Sequence, residues 1–255
     1  MHRATGPVME KQKEQFAQRT RWLFENHVEF LSTHRGSVTQ LQDAFTIESD
    51  RSEFTYAVLG KGADHALLER FTTVHLIPWS ESWDQQPNDS RFQSLGRLSY
   101  MTLDGDTSSW KINPKLIVRR VQNEREMDVF SHGQASGFAG KPADYDRWHP
   151  WLRSANHRNI KSNNQSFYVG HLDGKAVGTA LLVLTSGLGG IYAVTTLPEY
   201  RKQGIGSSLM ARAIIDALTQ NHDQITLQVA GGSYAETLYE KLGFVTQFQA
   251  KVFSR

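Results

Sequence analysis

The sequence predicts a mixed α/β (α+β) fold in two parts. Three observations carry that reading. From Leu116 onward, short apolar strands and amphipathic helices alternate in the order β-α-(α)-β-β-β-α-β-α-β. Within this run, Asp173-Gly174 separates two alternating apolar stretches, as the turn of a β-hairpin does. Finally, GIYAVTT leads through LPEYRKQGIG into a clean amphipathic helix whose first turn carries Gly204 and Gly206.

The elements follow in order. Between Met9 and His34, Phe16, Trp22, Leu23, Val28 and Leu31 recur at three- and four-residue spacings, which predicts a helix ended by Arg35-Gly36. FTIESDRSEFTYAVLG reads as strand, turn and strand, and ADHALLERFTTVHL as a helix. The polar stretch between Pro78 and Phe92 reads as a loop, and GRLSYMTLDGD as a strand closed by Gly105. The polar patch LDGDTSSWKINPK sets a boundary between an N-terminal α+β part, 1–112, and a C-terminal part, 113–255. There LIVRRV is a strand, NEREMDVFSHGQASGF a helix, and KPADYDRWHPWLRSANHRN an irregular or helical insert. After the hairpin come the strand GIYAVTT, the glycine-led helix, the strand QITLQVA and the helix SYAETLYEKLG, closed by a glycine. FVTQFQAKVFSR reads as a final strand pair.

Composition limits the function. The chain has 255 residues and a formal charge of +2, with Lys and Arg scattered, so no nucleic-acid partner is expected. It has no cysteine, which excludes disulfides, thiolate metal sites and a cysteine nucleophile, and fits a reducing compartment with the cytoplasm as default. No apolar run approaches the roughly 20 residues that span a bilayer, and MHRATGPVMEKQKEQ has no signal-peptide core, so no membrane association is expected. The histidines lack a close-spaced set such as HExxH, and no metal is expected. Oligomeric state is not legible.

The glycine-led helix is the sharpest feature. First-turn amides have no intrahelical partner and sit at the positive end of the helix dipole, while glycine removes the Cβ that would hold an anion away. The segment therefore reads as a phosphate cradle.

RKQGIG, Arg201 to Gly206, matches the Q/R-x-x-G-x-G/A signature of the GNAT N-acetyltransferase superfamily. AETLYEKLGF, Ala235 to Phe244, is similar to the tyrosine helix that follows one strand later in that family. The resemblance covers about Leu116 to Arg255 and implies a mostly antiparallel central sheet flanked by helices. It also implies acetyl-coenzyme A as cosubstrate without metal, and direct attack of an amine on the thioester. The cofactor-binding residues it implies are Val194, Thr195 and Thr196 on the strand, beside which the pantetheine arm would lie. In the loop they are Arg201, Lys202, Gln203, Gly204, Ile205, Gly206 and Ser207, around the pyrophosphate. Arg201 is either a supporting cation or a solvated side chain. Tyr239 takes the position of the family's catalytic acid; the alternative for it is a packed aromatic.

Two departures stand out. Leu188 to Thr196 contains no carboxylate where relatives often carry a base, so the base is unidentified. Gly232 replaces an asparagine that contacts the pantetheine, so that contact is absent or falls to Ser233. His171, beside the hairpin turn, reads as an exposed histidine in preference to a base. Asp144, Asp146, Trp148, His149 and Trp151 lie where GNAT substrates enter; they either receive a cationic amine or cap the sheet.

RFQSLGRLSYMTL echoes LYEKLGFVTQFQAKVF, so the N-terminal part reads either as a degenerate GNAT-like half without a phosphate loop or as an unrelated α+β cap. Either could supply the missing base. The function expected is acetyl transfer from acetyl-coenzyme A to the primary amine of a small-molecule or amino-acid-like substrate. The alternatives are a peptide or protein amine as acceptor, and an inactive acyl-coenzyme A sensor or scaffold.

Overall fold

The computed structural model describes residues 6–40, 44–49, 56–59, 71–77, 91–105 and 107–255. Its frame is one sheet with the spatial order β1-β2-β3-β4-β11-β5-β10-β9-β8-β7-β6. These strands are β1 (Ser37–Gln40), β2 (Ala44–Glu48), β3 (Tyr56–Leu59), β4 (Thr73–Leu76), β5 (Gln93–Leu103), β6 (Ile117–Arg120), β7 (Gln165–Leu172), β8 (Lys175–Thr185), β9 (Leu188–Thr196), β10 (Gln224–Ala230) and β11 (Phe244–Ser254). Neighbours run antiparallel except at β3–β4 and β9–β10. The expected fold class, a mixed α/β protein with a mainly antiparallel sheet flanked by helices, is what the chain adopts.

The order holds a reciprocal exchange. Strand β5, last of the N-terminal part, pairs with β10 of the C-terminal part, whereas β11, last of the chain, pairs with β4 of the N-terminal part. The two exchanged strands pair with each other at the centre, where Tyr100 stacks on Phe248 with centroids 4.3 Å apart. Read outward from this seam, each half presents one foreign strand and then a parallel pair, β4–β3 on one side and β10–β9 on the other.

The helices are α1 (Gly6–His34), α2 (Glu124–Phe138), α3 (Pro142–Arg158), α4 (Ile205–Leu218) and α5 (Tyr234–Lys241). Strand alternation sorts them onto two faces. Tyr168, Ala180, Leu182 and Ile191 point toward Leu209, Met210 and Ala213 of α4, with Tyr239 of α5 alongside. Phe167, Leu181, Val183 and Tyr192 point the other way, toward Met127 and Phe130 of α2. On that second face α1 buries Leu23, Phe24 and Leu31 against Ile47, Tyr100, Leu188 and Phe248. Two of its expected apolar positions, Trp22 and Val28, pack at the margin of this cluster; the Phe16 side chain lies outside the described residues.

Several expectations change. Thr73–Leu76, read as the end of a helix, is strand β4, because TVHL pairs along its length with both β3 and β11; Ala63 to Arg70 lie outside the described residues. The loop between Pro78 and Phe92 likewise lies almost wholly outside them. The insert is a regular helix, α3, with Pro142 in its first turn and Pro150 tolerated inside. The final strand pair is one strand: Phe244–Ser254 contains no Gly, Pro, Asn or Asp, and register shifts at Thr246/Phe248 and Val252/Phe253 bend it without reversing it. Among the described residues no helix is long and apolar enough to cross a membrane.

Candidate functional site

The site begins where two parallel strands stop pairing. β9 and β10 are in register only through Leu188–Gly190 and Gln224–Thr226. Beyond these the strands part, and Ile191–Val194 and Leu227–Ala230 line a cavity of about 580 Å³ that lies between them. Because successive side chains point to opposite faces, this cavity reaches both faces of the sheet. Ile191, Ala235 and Tyr239 line it on the α4–α5 face, and Tyr192, His27 and Phe30 on the α1–α2 face.

A bulge shapes the β9 wall. Register shifts between Thr179 and Leu181, and Ala193 adopts φ +49°, a left-handed conformation costly for a residue with a Cβ. The Thr179 hydroxyl donates to Ala193 O at 2.9 Å and lies 2.7 Å from Thr195 Oγ1. Thr195 is held against α2, where a Cβ on Gly137 would stand 2.3 Å from the Thr195 Cβ. Of the strand residues expected at the site, Val194 lines the cavity, Thr195 turns its side chain to α2, and Thr196 ends the strand beside the loop.

The loop carries the geometry expected of an anion cradle. Pro198–Tyr200 forms a 3-10 turn, Lys202 adopts φ +63°, and Gly204 at φ +77° is the N-cap of α4, which receives no side-chain capping bond. The first-turn amides of Ile205, Gly206 and Ser207 therefore face outward without an intrahelical acceptor. At Gly206 a Cβ would meet nothing nearer than 3.8 Å, so the cradle is open there. Arg201, Lys202 and Gln203 are exposed; Arg201 Nε donates to Thr196 O at 3.4 Å and Gln203 Nε2 to Glu199 O at 3.3 Å. These features fit the pyrophosphate of coenzyme A, and the parted strands fit an extended arm.

Residues read as a boundary linker hold this loop. Ser207 Oγ donates to Lys111 O at 2.9 Å, and Asn113 Nδ2 to Gln203 O at 3.0 Å. Asn113 N donates to Ser208 Oγ at 2.9 Å. Gly204 is doubly required, since a Cβ there would also lie 2.7 Å from Lys111 O.

Tyr239 lines the same cavity from α5 and packs edge-to-face on Phe244 at 5.8 Å. Burial pushes its hydroxyl up to about 12, so it stays protonated at neutral pH. Helix α5 starts with a side-chain cap: Ser233 Oγ accepts from Glu236 N at 3.2 Å, and Gly232 N, just before the cap, donates to the Glu236 carboxylate. Glu236 also accepts from the Ser99 hydroxyl of β5, so the N-terminal part helps place the Tyr239 helix. The oxygen of Ser233, weighed as a replacement pantetheine contact, thus serves as the helix cap.

The remaining wall was missed in the sequence. Helix α1 brings His27 and Phe30 to the cavity, the residue after it, Arg35, joins them, and α2 brings Gln134 and Phe138. His27 Nδ1 lies 2.9 Å from the Tyr100 hydroxyl; burial pushes the imidazole down to about 3 and the Tyr100 phenol above its ordinary range. The only sequence signal was the amphipathic periodicity of α1, which shows that a helix packs but not against what. Of the insert residues, Trp148 and Trp151 line the cavity, whereas Asp144, Asp146 and His149 do not; His149 stacks on Tyr145 at 5.0 Å. His171 sits in a separate small depression with Arg119 and Glu126. Among the described residues no carboxylate lines the main cavity, and no group of three or more His, Asp or Glu is placed to hold a metal.

Comparison with known proteins agrees with this geometry. Residues 163–246 match the family model described as Acetyltransferase (GNAT) domain. Among solved structures, the chain is similar to a GCN5-related N-acetyltransferase from Kribbella flavida, at 14% identity over 91% of this chain and 94% of that one, with a TM-score of 0.64. It is also similar to a GCN5-related N-acetyltransferase from Sphaerobacter thermophilus (15% identity, 84% and 76% covered, TM-score 0.60). A tandem GNAT protein from the clavulanic acid biosynthesis pathway matches at 10% identity, with 84% and 78% covered and a TM-score of 0.56. No curated protein matches the chain. Residues 163–246, which contain the uncapped α4 loop and the parted strands, match a GNAT acetyltransferase domain.

Proposed function

We propose that this protein transfers the acetyl group of acetyl-coenzyme A to the primary amine of a small-molecule or amino-acid-like acceptor by direct attack. The observation that carries the reading is the cavity between β9 and β10, with Tyr239 in its wall and the uncapped start of α4 beside it. When bound, acetyl-coenzyme A supplies the thioester. The backbone amides of Gln203 to Ser207 bind its pyrophosphate with Arg201 and Lys202 as outlying cations, and the backbone at Val194 and Thr196 holds its arm. Thr195 contributes through its backbone, its side chain being committed to Thr179.

The acceptor enters from the α1–α2 face. Tyr239, kept protonated by burial, donates to the departing thiolate, and the proton that the attacking nitrogen loses returns through solvent to the Tyr239 phenolate. His27 is the titratable group that the N-terminal part brings to the cavity, but at about 3 it is too weak a base to take a proton from an ammonium. The acceptor is therefore drawn from solution as its free amine, and kcat/KM rises with pH up to the acceptor's own pKa. The N-terminal part, 1–112, is in this reading a degenerate GNAT-like half: it repeats the parallel strand pair and exchanges its last strand with the GNAT half, 113–255.

The test is release of free thiol from acetyl-coenzyme A with a panel of amines, amino acids and short peptides, with Tyr239→Phe run beside the wild type. Release that depends on one amine class and falls about 10²- to 10⁴-fold in the variant supports the assignment. Binding of acetyl-coenzyme A with no turnover on any amine would replace it with an acyl-coenzyme A-binding role.

A further inference from the structure

On the α1–α2 side the cavity wall is aromatic. Phe30, Phe138, Trp148 and Trp151 surround it, with Phe138 48% exposed at the rim. Large apolar surface held half in water beside a cavity is costly unless a ligand covers it. The charged member of the wall is Arg35, one residue past the end of α1. Its guanidinium lies 4.6 Å from the ring centroid of Trp151 and 6.0 Å from that of Phe30. No carboxylate lines the cavity among the described residues.

This combination discriminates between amines. A polyamine or an amino sugar carries several ammonium groups and needs facing carboxylates; here it would meet a guanidinium instead. An amino acid brings one amine, one carboxylate and a side chain. The aromatic walls accept an apolar or aromatic side chain by burial and stacking. The contact with the Trp151 ring is made through the cation's charge, which leaves the guanidinium's in-plane N–H donors as the groups by which a carboxylate is gripped with two parallel bonds. The grip needs two of the five donors, so other neighbours of Arg35 do not preclude it.

Building on the acetyl-transfer reading, we propose that the acceptor is an α-amino acid or close analogue with an apolar or aromatic side chain and a free carboxylate, and that Arg35 is the residue that reads the carboxylate. The cavity volume, about 580 Å³, falls within the range of small-molecule sites and leaves room for such a ligand beside an acetyl group.

The experiment compares matched pairs, L-phenylalanine with L-phenylalaninamide and L-leucine with L-leucinamide, and adds spermidine as a polycation. Each is measured by KM in the thiol-release assay and by calorimetric titration into the protein saturated with coenzyme A. The titration reads the acceptor site even where turnover is absent, so failure of the acetyl-transfer reading is seen separately. The expected result is that each acid binds about 10- to 100-fold more tightly than its amide, that Arg35→Gln removes this difference, and that Arg35→Lys restores part of it. Acid and amide binding equally to the wild type, or spermidine binding more tightly than either acid, would overturn the proposal. A loss in Arg35→Gln that is the same for acid and amide would overturn it too, since a merely structural role would act on both.

Discussion

The Tyr192 hydroxyl donates to Asn26 Oδ1 at 2.7 Å, and the Asn26 amide donates in turn to Val183 O at 3.0 Å and Thr185 Oγ1 at 2.9 Å. One fully buried side chain of α1 thus bridges β8 and β9 at the edge of the cavity. Approach this close depends on Gly190, where a Cβ would lie 1.9 Å from Asn26 Oδ1. Asn26→Leu removes the buried hydrogen bonds to Tyr192, Val183 and Thr185 and should cost about 2–5 kcal/mol. Denaturant unfolding reads the loss. Because α1 carries His27 and Phe30 and leads into Arg35, acceptor KM should rise more than the KM for acetyl-coenzyme A.

Gly204→Ala meets two obstacles, a left-handed backbone and the Lys111 carbonyl. The cost should be about 1–3 kcal/mol in stability, with weaker coenzyme A binding because the α4 amides must shift. Gly206→Ala fills an open space and leaves the fold intact, since its Cβ would clash with nothing. Its effect should fall on coenzyme A affinity alone. Calorimetric titration of coenzyme A into both variants, set beside their melting temperatures, separates these outcomes.

Three buried histidines make the fold sensitive to acid. Burial pushes His27 down to about 3, and His34 and His75 down to about 4, from an ordinary value of 6.5. Below pH 6.5 the unfolded chain takes up protons that the folded chain refuses. Stability should therefore be full above that pH and fall as pH drops from 6.5 toward 4, by about 2 kcal/mol per histidine at pH 5. The denaturation midpoint measured from pH 7.5 to 5 should show the decline, and it should be shallower in His34→Gln, which keeps an amide near Gln165.

The strand exchange predicts that residues 113–255 do not fold alone. Without β5, both β10 and β11 lose the neighbour between them, and Glu236 loses the Ser99 hydroxyl. The isolated segment should aggregate or unfold without a cooperative transition, whereas the full chain unfolds cooperatively. Circular dichroism during a urea titration of both would show it.

Local chemistry was legible in the sequence and long-range placement was not. The left-handed cap at Gly204, the open space at Gly206 and the hairpin at Asp173-Gly174 are written in consecutive residues, because backbone conformation and a missing Cβ decide them. The echo between RFQSLGRLSYMTL and the C-terminal ending marked the two strands that meet at the seam, β5 and β11, but pairing between residues about 150 apart has no local sign. For the same reason Lys111 and Asn113 read as linker, although they clamp the Gln203–Ser207 loop. His27 falls among the polar positions of a helix, and Arg35 reads only as its end. Their role depends on which strands part beneath α1, a fact of topology and not of periodicity.

Acetyl transfer to an amine in the cavity between β9 and β10 is best read by mass spectrometry of an amine panel incubated with the protein and acetyl-coenzyme A. One class of amine, led by apolar and aromatic amino acids, should gain a single acetyl group in step with released thiol. Acetyl-coenzyme A that binds and stays intact while every amine remains unmodified would contradict acetyl transfer there.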